Sequence, residues 1–209
     1  MALTKVLTGG LAADSVDNTI LKLDDNYALT GTVTGADIAL LHTTTVTSNV
    51  DQVQIDGHFT SAFTNYKLVG SNVHLQTDDK HLNLKFMSGG SVITGSVHRS
   101  VQLKISSNSA SAVGVVEASD TEFAKACGQN IGNGTGECAN FEIIIYDPLA
   151  TDNFKTFSAK ANNQNDSGIM ILTYTEGMYN SNQAALSGIE VKPQSDAIAS
   201  GVFKLYGMR

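Results

Sequence analysis

The chain has 209 residues, of which 42% are hydrophobic and 16% charged. This length and composition favour one soluble domain with at most a short appendage, and argue against a membrane channel, a collagen or a fully disordered chain. Thirteen Lys and Arg against twenty Asp and Glu give a formal charge of −7, which repels a polyphosphate, so nucleic acid is not an expected partner.

The first 37 residues differ from the rest, because they are mostly small and polar and their apolar positions are too sparse to close a core. Residues 27–35 alternate Thr and Gly with single apolar residues, a pattern suited to narrow extended chains packed side by side. We therefore expect an extended N-terminal arm over residues 1–37 that either docks on another surface or stays loose; three copies wound together would bury what one copy cannot. A separate β-domain over residues 38–209 is expected to follow it.

Targeting and membrane signals are not evident in the sequence. Residues 1–10 carry one lysine and lack the apolar run of a signal peptide. Nothing approaches the roughly 20 apolar residues that span a bilayer. We expect synthesis in a cytosol and no membrane insertion.

From residue 36 onwards, apolar and polar residues alternate with the period of two that is typical of β-strands. Leu82, Leu84 and Phe86 share one face of residues 80–86, which predicts a half-buried antiparallel strand. The next run has Val97, Val101, Leu103 and Ile105 on one face and His98, Ser100, Gln102 and Lys104 on the other. Further strands are predicted at residues 39–47, 52–56, 66–75, 112–117, 140–147, 155–159, 168–174, 186–192 and 201–206.

These short strands are separated by turn clusters, such as residues 162–166 and 180–182, and by connections too short for crossover helices. Only residues 121–126 are expected to be helical. The pattern predicts an all-β protein, an antiparallel jelly-roll-like β-sandwich. Each sheet would bury one face, and the outer face of one sheet would be free to pack against a neighbouring subunit.

Catalytic and metal-binding signals are weak. The five histidines, which lack the spacing of a helical zinc pair, are expected to be solvent-facing strand residues; they are His42, His58, His74, His81 and His98. Asp24–Asp25 and Asp78–Asp79 offer oxygen ligands for calcium, but their spacing fits turn-forming residues better. No nucleophile elbow or phosphate-binding loop is present. We expect no enzyme activity, no cofactor and no metal.

Two cysteines, Cys127 and Cys138, flank a Gly- and Asn-rich segment that resembles a long hairpin tip. A disulfide between them would close this loop and add about 3 kcal/mol if unstrained. Two free thiols near the base of the loop are the equally supported alternative.

Three tyrosines, Tyr146, Tyr174 and Tyr179, lie near strand ends or loops, where their rings could stack on a glycan. Packing in the core or at an interface is the better supported alternative for each. They are the weak candidates for a sugar-binding site.

Three segments resemble tail-fibre and appendage proteins of marine tailed bacteriophages. Residues 27–35 resemble the Thr-Gly-Thr-Val segment near the N-termini of those proteins, and residues 55–69 resemble the opening of their β-rich distal domains. Residues 200–208 are similar to their closing strand.

This resemblance implies a virion structural protein, a homotrimer assembled in the host cytoplasm. Its arm would attach to other virion proteins, and its sandwich would face outward, where a host surface glycan is one possible partner. The chain is short and lacks a repetitive shaft, which favours a short tail fibre, a fibre tip or a capsid decoration. The alternatives are a carbohydrate-binding module without a virion role and, third, a polysaccharide depolymerase.

Overall fold

A computed structural model describes residues 37–108, 113–115 and 121–209, apart from the side chains of residues 113–115 and 127. Residues 37–209 form one compact unit. Residues 1–36 of the predicted arm, which include the Asp24–Asp25 pair and residues 27–35, lie outside the described residues. The domain boundary at residue 37 therefore stays a prediction.

The described residues contain thirteen strands and no helix, and the strands form two antiparallel sheets packed as a sandwich. This confirms the predicted all-β class and the antiparallel sandwich. In chain order the strands are β1 (Ile38–Val46), β2 (Val53–Asp56), β3 (Asn65–Leu75), β4 (Lys80–Ser88), β5 (Ser91–Val92), β6 (His98–Ser106), β7 (Val113–Val115), β8 (Ala124–Ile131), β9 (Ala139–Tyr146), β10 (Lys155–Gln164), β11 (Met170–Tyr179), β12 (Gly188–Pro193) and β13 (Ile198–Met208).

The large sheet has eight strands in the order β1-β13-β3-β9-β10-β11-β6-β7. The small sheet has five, in the order β2-β12-β4-β5, with β8 also paired to β4. Strands β9, β10 and β11 therefore lie side by side in the middle of the large sheet, and their main-chain groups are paired on both sides.

The core lies between the two sheets and is built by the period-two pattern. Leu82, Leu84 and Phe86 of β4 are fully buried, as the alternation predicts. They belong to one apolar cluster with residues of the large sheet, including Leu68, Ile143, Ile145, Phe157, Phe203 and Leu205. Each such side chain contributes about 1.5–3 kcal/mol when fully buried, so this cluster is what holds the sheets together.

The prediction of a helix over residues 121–126 is wrong. Residues 124–126 begin strand β8, which pairs with β4 through Ala124–Leu84 and Lys125–Asn83. The segment is short, and Ala, Glu and Lys favour a helix by only a few tenths of a kcal/mol per residue. Pairing along the open side of β4 overrides that local preference.

Strand β6 has its faces reversed relative to the usual pattern. Val101 and Leu103 are 52% and 39% exposed, whereas Ser100 and Gln102 are buried. The inner face of β6 meets β8, whose main chain needs polar partners: the backbone N–H of Lys125 donates to Ser100 Oγ at 3.1 Å. The polar face is therefore the one that fits the interior, and the apolar face is left on the surface.

Candidate binding face

Two of the three candidate tyrosines lie on the outer face of the large sheet. Tyr146 on β9 is 39% exposed and Tyr174 on β11 is 42% exposed. Tyr146 stands beside Thr156 and Tyr174 beside Lys160, so strand geometry separates their Cα atoms by roughly 16 Å along one surface.

Tyr179 is not on that surface. It is only 4% exposed, and its ring centroid lies 6.4 Å from that of Phe86 and 5.8 Å from that of His98. The packing alternative applies to Tyr179, which corrects its candidacy as a glycan contact, because it is the inward-facing residue at the end of β11.

A chain of hydrogen bonds crosses the outer face. Ser158 Oγ donates to Glu176 Oε2 at 2.8 Å, and Tyr146 Oη lies 3.0 Å from Ser158 Oγ. Because the Ser158 proton is directed to Glu176, the Tyr146 hydroxyl is the donor to Ser158. These contacts hold an exposed ring and an exposed carboxylate in fixed positions.

The outer face carries charges of both signs. Lys67 Nζ lies 2.5 Å from Glu142 Oε2, and Lys160 Nζ lies 5.9 Å from the centroid of the Tyr174 ring. Three further charged side chains are exposed on this face: Lys204 on β13, Arg99 on β6 and Glu176 on β11. On the central strands β9 and β10, Glu142 and Lys160 stand opposite each other, so one charge of each sign lies there.

Two shallow depressions of about 290 and 340 Å³ share the side chains of Asn140 and Asn162 and form one groove over β9 and β10. We call it the amide groove, and define it by Asn140, Glu142, Lys160, Asn162 and Gln164, with Tyr174 beside Lys160. Amide, carboxylate and ammonium groups give it both donors and acceptors.

An apolar strip runs beside the groove along β6 and β11. We call it the apolar band; its members are Val101, Leu103, Ile105, Met170 and Leu172. Met170 is 58% exposed. At one end of the band, a depression of about 320 Å³ is lined by apolar atoms of Val101 and Met178 and flanked by Arg99 and Glu176.

The expectation that all histidines face solvent is wrong for His81 and His98, which are buried. His98 stacks on Phe86 with ring centroids 5.9 Å apart, and Phe86 N–H donates to its Nε2 at 3.4 Å. Burial, followed by the charge of Lys85, lowers the pKa of His98 to about 4. The imidazole is therefore neutral at pH 7 and is part of the core.

The other notable histidine contact is between His42 and His58, whose ring centroids are 4.5 Å apart. Burial and the neighbouring His42 lower the pKa of His58, and Asp56 opposes the shift. Across the described part of the chain, no group of three or more His, Cys, Asp or Glu side chains has the arrangement of a metal site.

The Asp78–Asp79 pair serves the turn before β4. Asp78 Oδ1 accepts from the backbone N–H of Asn133 at 2.7 Å, and Asp79 Oδ1 accepts from Asn130 Nδ2 at 2.7 Å. These contacts match the turn-forming alternative.

In the same described residues, no helix is long and apolar enough to cross a membrane.

The segment between Cys127 and Cys138 is not a hairpin tip. It begins within β8 of the small sheet and leads to β9 of the large sheet, so it crosses between the sheets. Cys138 has a half-buried free thiol, 3.8 Å from Asn140 Nδ2. The side chain of Cys127 is outside the described set, so the choice between a disulfide and two free thiols stays a prediction.

Sequence reasoning missed the groove because it ended the strand at Ala159 and assigned residues 162–166 to a turn. In the structure β10 continues to Gln164, and Asn162 lies on its outer face. The available signal was the alternation of the buried Phe157, Ala159 and Ala161 with polar residues. Asn favours turns, but that preference gave way to pairing with β9 and β11.

Comparisons of the chain with protein-family models, with curated proteins and with solved structures found no match. The function is therefore inferred from the chemistry of the outer face and from the sequence patterns that precede it.

Proposed function

We propose that this chain is a non-catalytic structural protein of a bacteriophage particle: a short tail fibre, a fibre tip or a capsid decoration. It associates as a homotrimer, attaches to other virion proteins through residues 1–37 and presents the sandwich outward for host attachment. The observation that supports assembly is the apolar band on the outer face of the large sheet.

The exposure of the band follows from the contacts beneath it. Gln102 Nε2 donates to Thr175 Oγ1 at 2.9 Å, and the backbone N–H of Gly128 donates to Thr173 Oγ1 at 3.2 Å. Turning the apolar residues inward would require a one-residue shift that breaks these buried bonds. Because the fold keeps these apolar side chains at the surface, burial against another subunit is the available way to remove them from water.

The assembly is tested by charging the band. We expect the parent chain to have a solution mass three times its 22.0 kDa at micromolar concentration. The double variant Val101→Glu, Leu103→Glu should shift to the monomer mass, because a carboxylate buried without a partner opposes association. Multi-angle light scattering after gel filtration measures both.

The matched control is Thr45→Glu, which adds a charge at an exposed position of β1 and should keep the trimer. Melting curves of both variants check that the sandwich is intact. A monomeric parent chain, or a trimer that survives both charges in the band, contradicts the proposed assembly.

The N-terminal segment gives a second test. Deletion of residues 1–35 should leave a folded sandwich, because residues 37–209 form a compact unit of their own. The truncated protein should no longer join particles in a reconstitution assay. An unfolded truncated protein, seen by circular dichroism, would show that the boundary is misplaced.

A carbohydrate-binding module without a virion role is the second candidate. It is favoured by the placement of Tyr146 and Tyr174 on one exposed face beside hydrogen-bonding side chains. A monomer that binds glycans and joins no particle would favour this function over the first.

A further inference from the structure

We infer that the amide groove binds an uncharged oligosaccharide. This inference rests on the proposed function in so far as that function includes host attachment, and it adds a site and a ligand class. The groove consists of about 290 and 340 Å³ of adjoining space over the central strands β9 and β10.

The groove offers both donors and acceptors of hydrogen bonds. The Asn162 side chain is exposed, and among residues that the structure describes it has no hydrogen-bond partner. Asn140 Oδ1 accepts from Asn72 N–H at 2.9 Å, which fixes the plane of that amide. Gln164 Nε2 donates to Gly168 O at 3.2 Å, so its Oε1 remains as an acceptor. Planar amides that both donate and accept match neighbouring hydroxyl groups of a sugar.

The ring of Tyr174 stands beside the groove, next to Lys160. The Tyr174 ring is 42% exposed and is held beside Lys160, whose Nζ is 5.9 Å from the ring centroid. An exposed ring with a polar tip offers an apolar face to the C–H groups of a sugar while its hydroxyl stays in water. The amides offer hydrogen bonds to sugar hydroxyl groups, and the ring offers an apolar surface to sugar C–H groups. These are the two kinds of contact that a pyranose makes.

The charges in the groove favour a neutral ligand. Among the described residues that line it, the charged ones are Glu142 and Lys160, which stand opposite each other on β9 and β10. Glu142 is also paired with Lys67 at 2.5 Å. A sulfated or phosphorylated chain would meet a carboxylate as well as an ammonium group in the groove, so the lining favours a ligand without net charge.

The position of the groove in the sheet argues against a peptide ligand. Strand addition needs a free sheet edge, whereas β9 and β10 are hydrogen-bonded on both sides. An apolar peptide would favour the apolar band rather than a groove lined by Asn140, Asn162 and Gln164. Because the groove side chains project from central strands, their spacing is fixed before a ligand arrives.

The inference is tested with the full chain on an array of neutral hexose and N-acetylhexosamine oligosaccharides. The best-binding oligosaccharide is then titrated by calorimetry. Asn162→Ala and Tyr174→Ala should each weaken the affinity about tenfold, the effect of losing one good polar or stacking contact. Val101→Ser, in the apolar band, is the control and should keep the affinity; melting curves verify that all variants are folded.

Three results would overturn the inference: no array signal with no binding at millimolar ligand, equal affinity in parent and both groove variants, or binding only to sulfated glycans that salt abolishes. The solution mass of the same samples separates this test from the proposed function. A trimer that binds no neutral glycan contradicts the groove alone, and a monomer that binds through Asn162 and Tyr174 contradicts the assembly alone.

Discussion

Replacement of Lys155 by Met is expected to lower the free energy of unfolding by about 3–5 kcal/mol. Lys155 is only 1% exposed, and its Nζ donates to the carbonyl oxygens of Ala150 at 2.6 Å, Asn153 at 2.7 Å and Gln183 at 3.0 Å. The ammonium group thus joins the β9–β10 loop to the segment between β11 and β12. Methionine fills the same volume but leaves the three carbonyls without their donor.

Burial lowers the pKa of Lys155, and the carboxylates of Asp147 and Asp152 oppose that shift. The three carbonyl oxygens accept a hydrogen bond from each of the three N–H groups of the ammonium. The buried charge is therefore fully hydrogen-bonded. Urea denaturation of Lys155→Met against the parent measures the loss. Lys160→Met, an exposed lysine on the same strand, is the control and should change stability by no more than about 0.5 kcal/mol. A loss below about 1 kcal/mol for Lys155→Met would show that water replaces the donor.

Local alternation was sufficient to predict the class of fold and most of the strands. The faces of β4 illustrate why: Leu82, Leu84 and Phe86 are apolar at every second position, and any sandwich buries such a stripe. Even here the pattern predicted the burial of only one face of β4, because His81 and Asn83 on the opposite face are buried as well. Whether a polar face meets solvent depends on what covers it, and alternation carries no information about that.

Strand β6 shows the same limit in a stronger form. Its polar residues face inward because Ser100 and Gln102 supply hydrogen-bond partners to β8, and Gln102 also to Thr175 of β11. The partners of Ser100 and Gln102 are more than twenty residues away in sequence. The apolar band could therefore not be recognised as a surface before the position of β8 was known.

The amide groove depends on the order β3-β9-β10-β11 in the large sheet. That order brings Asn140, Asn162 and Tyr174 onto one surface, although no short motif contains them. The tyrosines were identified as candidates by composition and position alone, and only the sheet order separates Tyr174, on the outer face, from Tyr179, in the core. The apolar band and the groove adjoin on this face: Met170 of the band also lines the groove, and Tyr174 pairs with Leu103 of the band.

Acidification from pH 6.5 to pH 4 is expected to cost about 3 kcal/mol of stability through His98 alone. The folded protein holds the pKa of this imidazole at about 4, below the ordinary 6.5, because the ring is buried against Phe86 and Tyr179 and lies near the Lys85 charge. Between these two pH values the unfolded chain binds a proton that the folded chain does not. The contribution of His98 to the free energy of unfolding is therefore fully present above pH 6.5. It falls as the pH decreases and changes no further below about pH 4.

The effect of the other titrating groups cancels when the pH profiles of the parent and of His98→Gln are compared. Glutamine keeps an acceptor for Phe86 N–H but does not bind a proton in this pH range. The variant should be less stable at pH 7, and the difference between variant and parent should shrink by about 3 kcal/mol between pH 6.5 and 4. The Lys85–Glu122 pair, whose charged atoms are 2.6 Å apart, is present in both proteins. Parallel profiles for His98→Gln and the parent would mean that water reaches the ring and that the Phe86–His98–Tyr179 cluster opens before the sandwich unfolds.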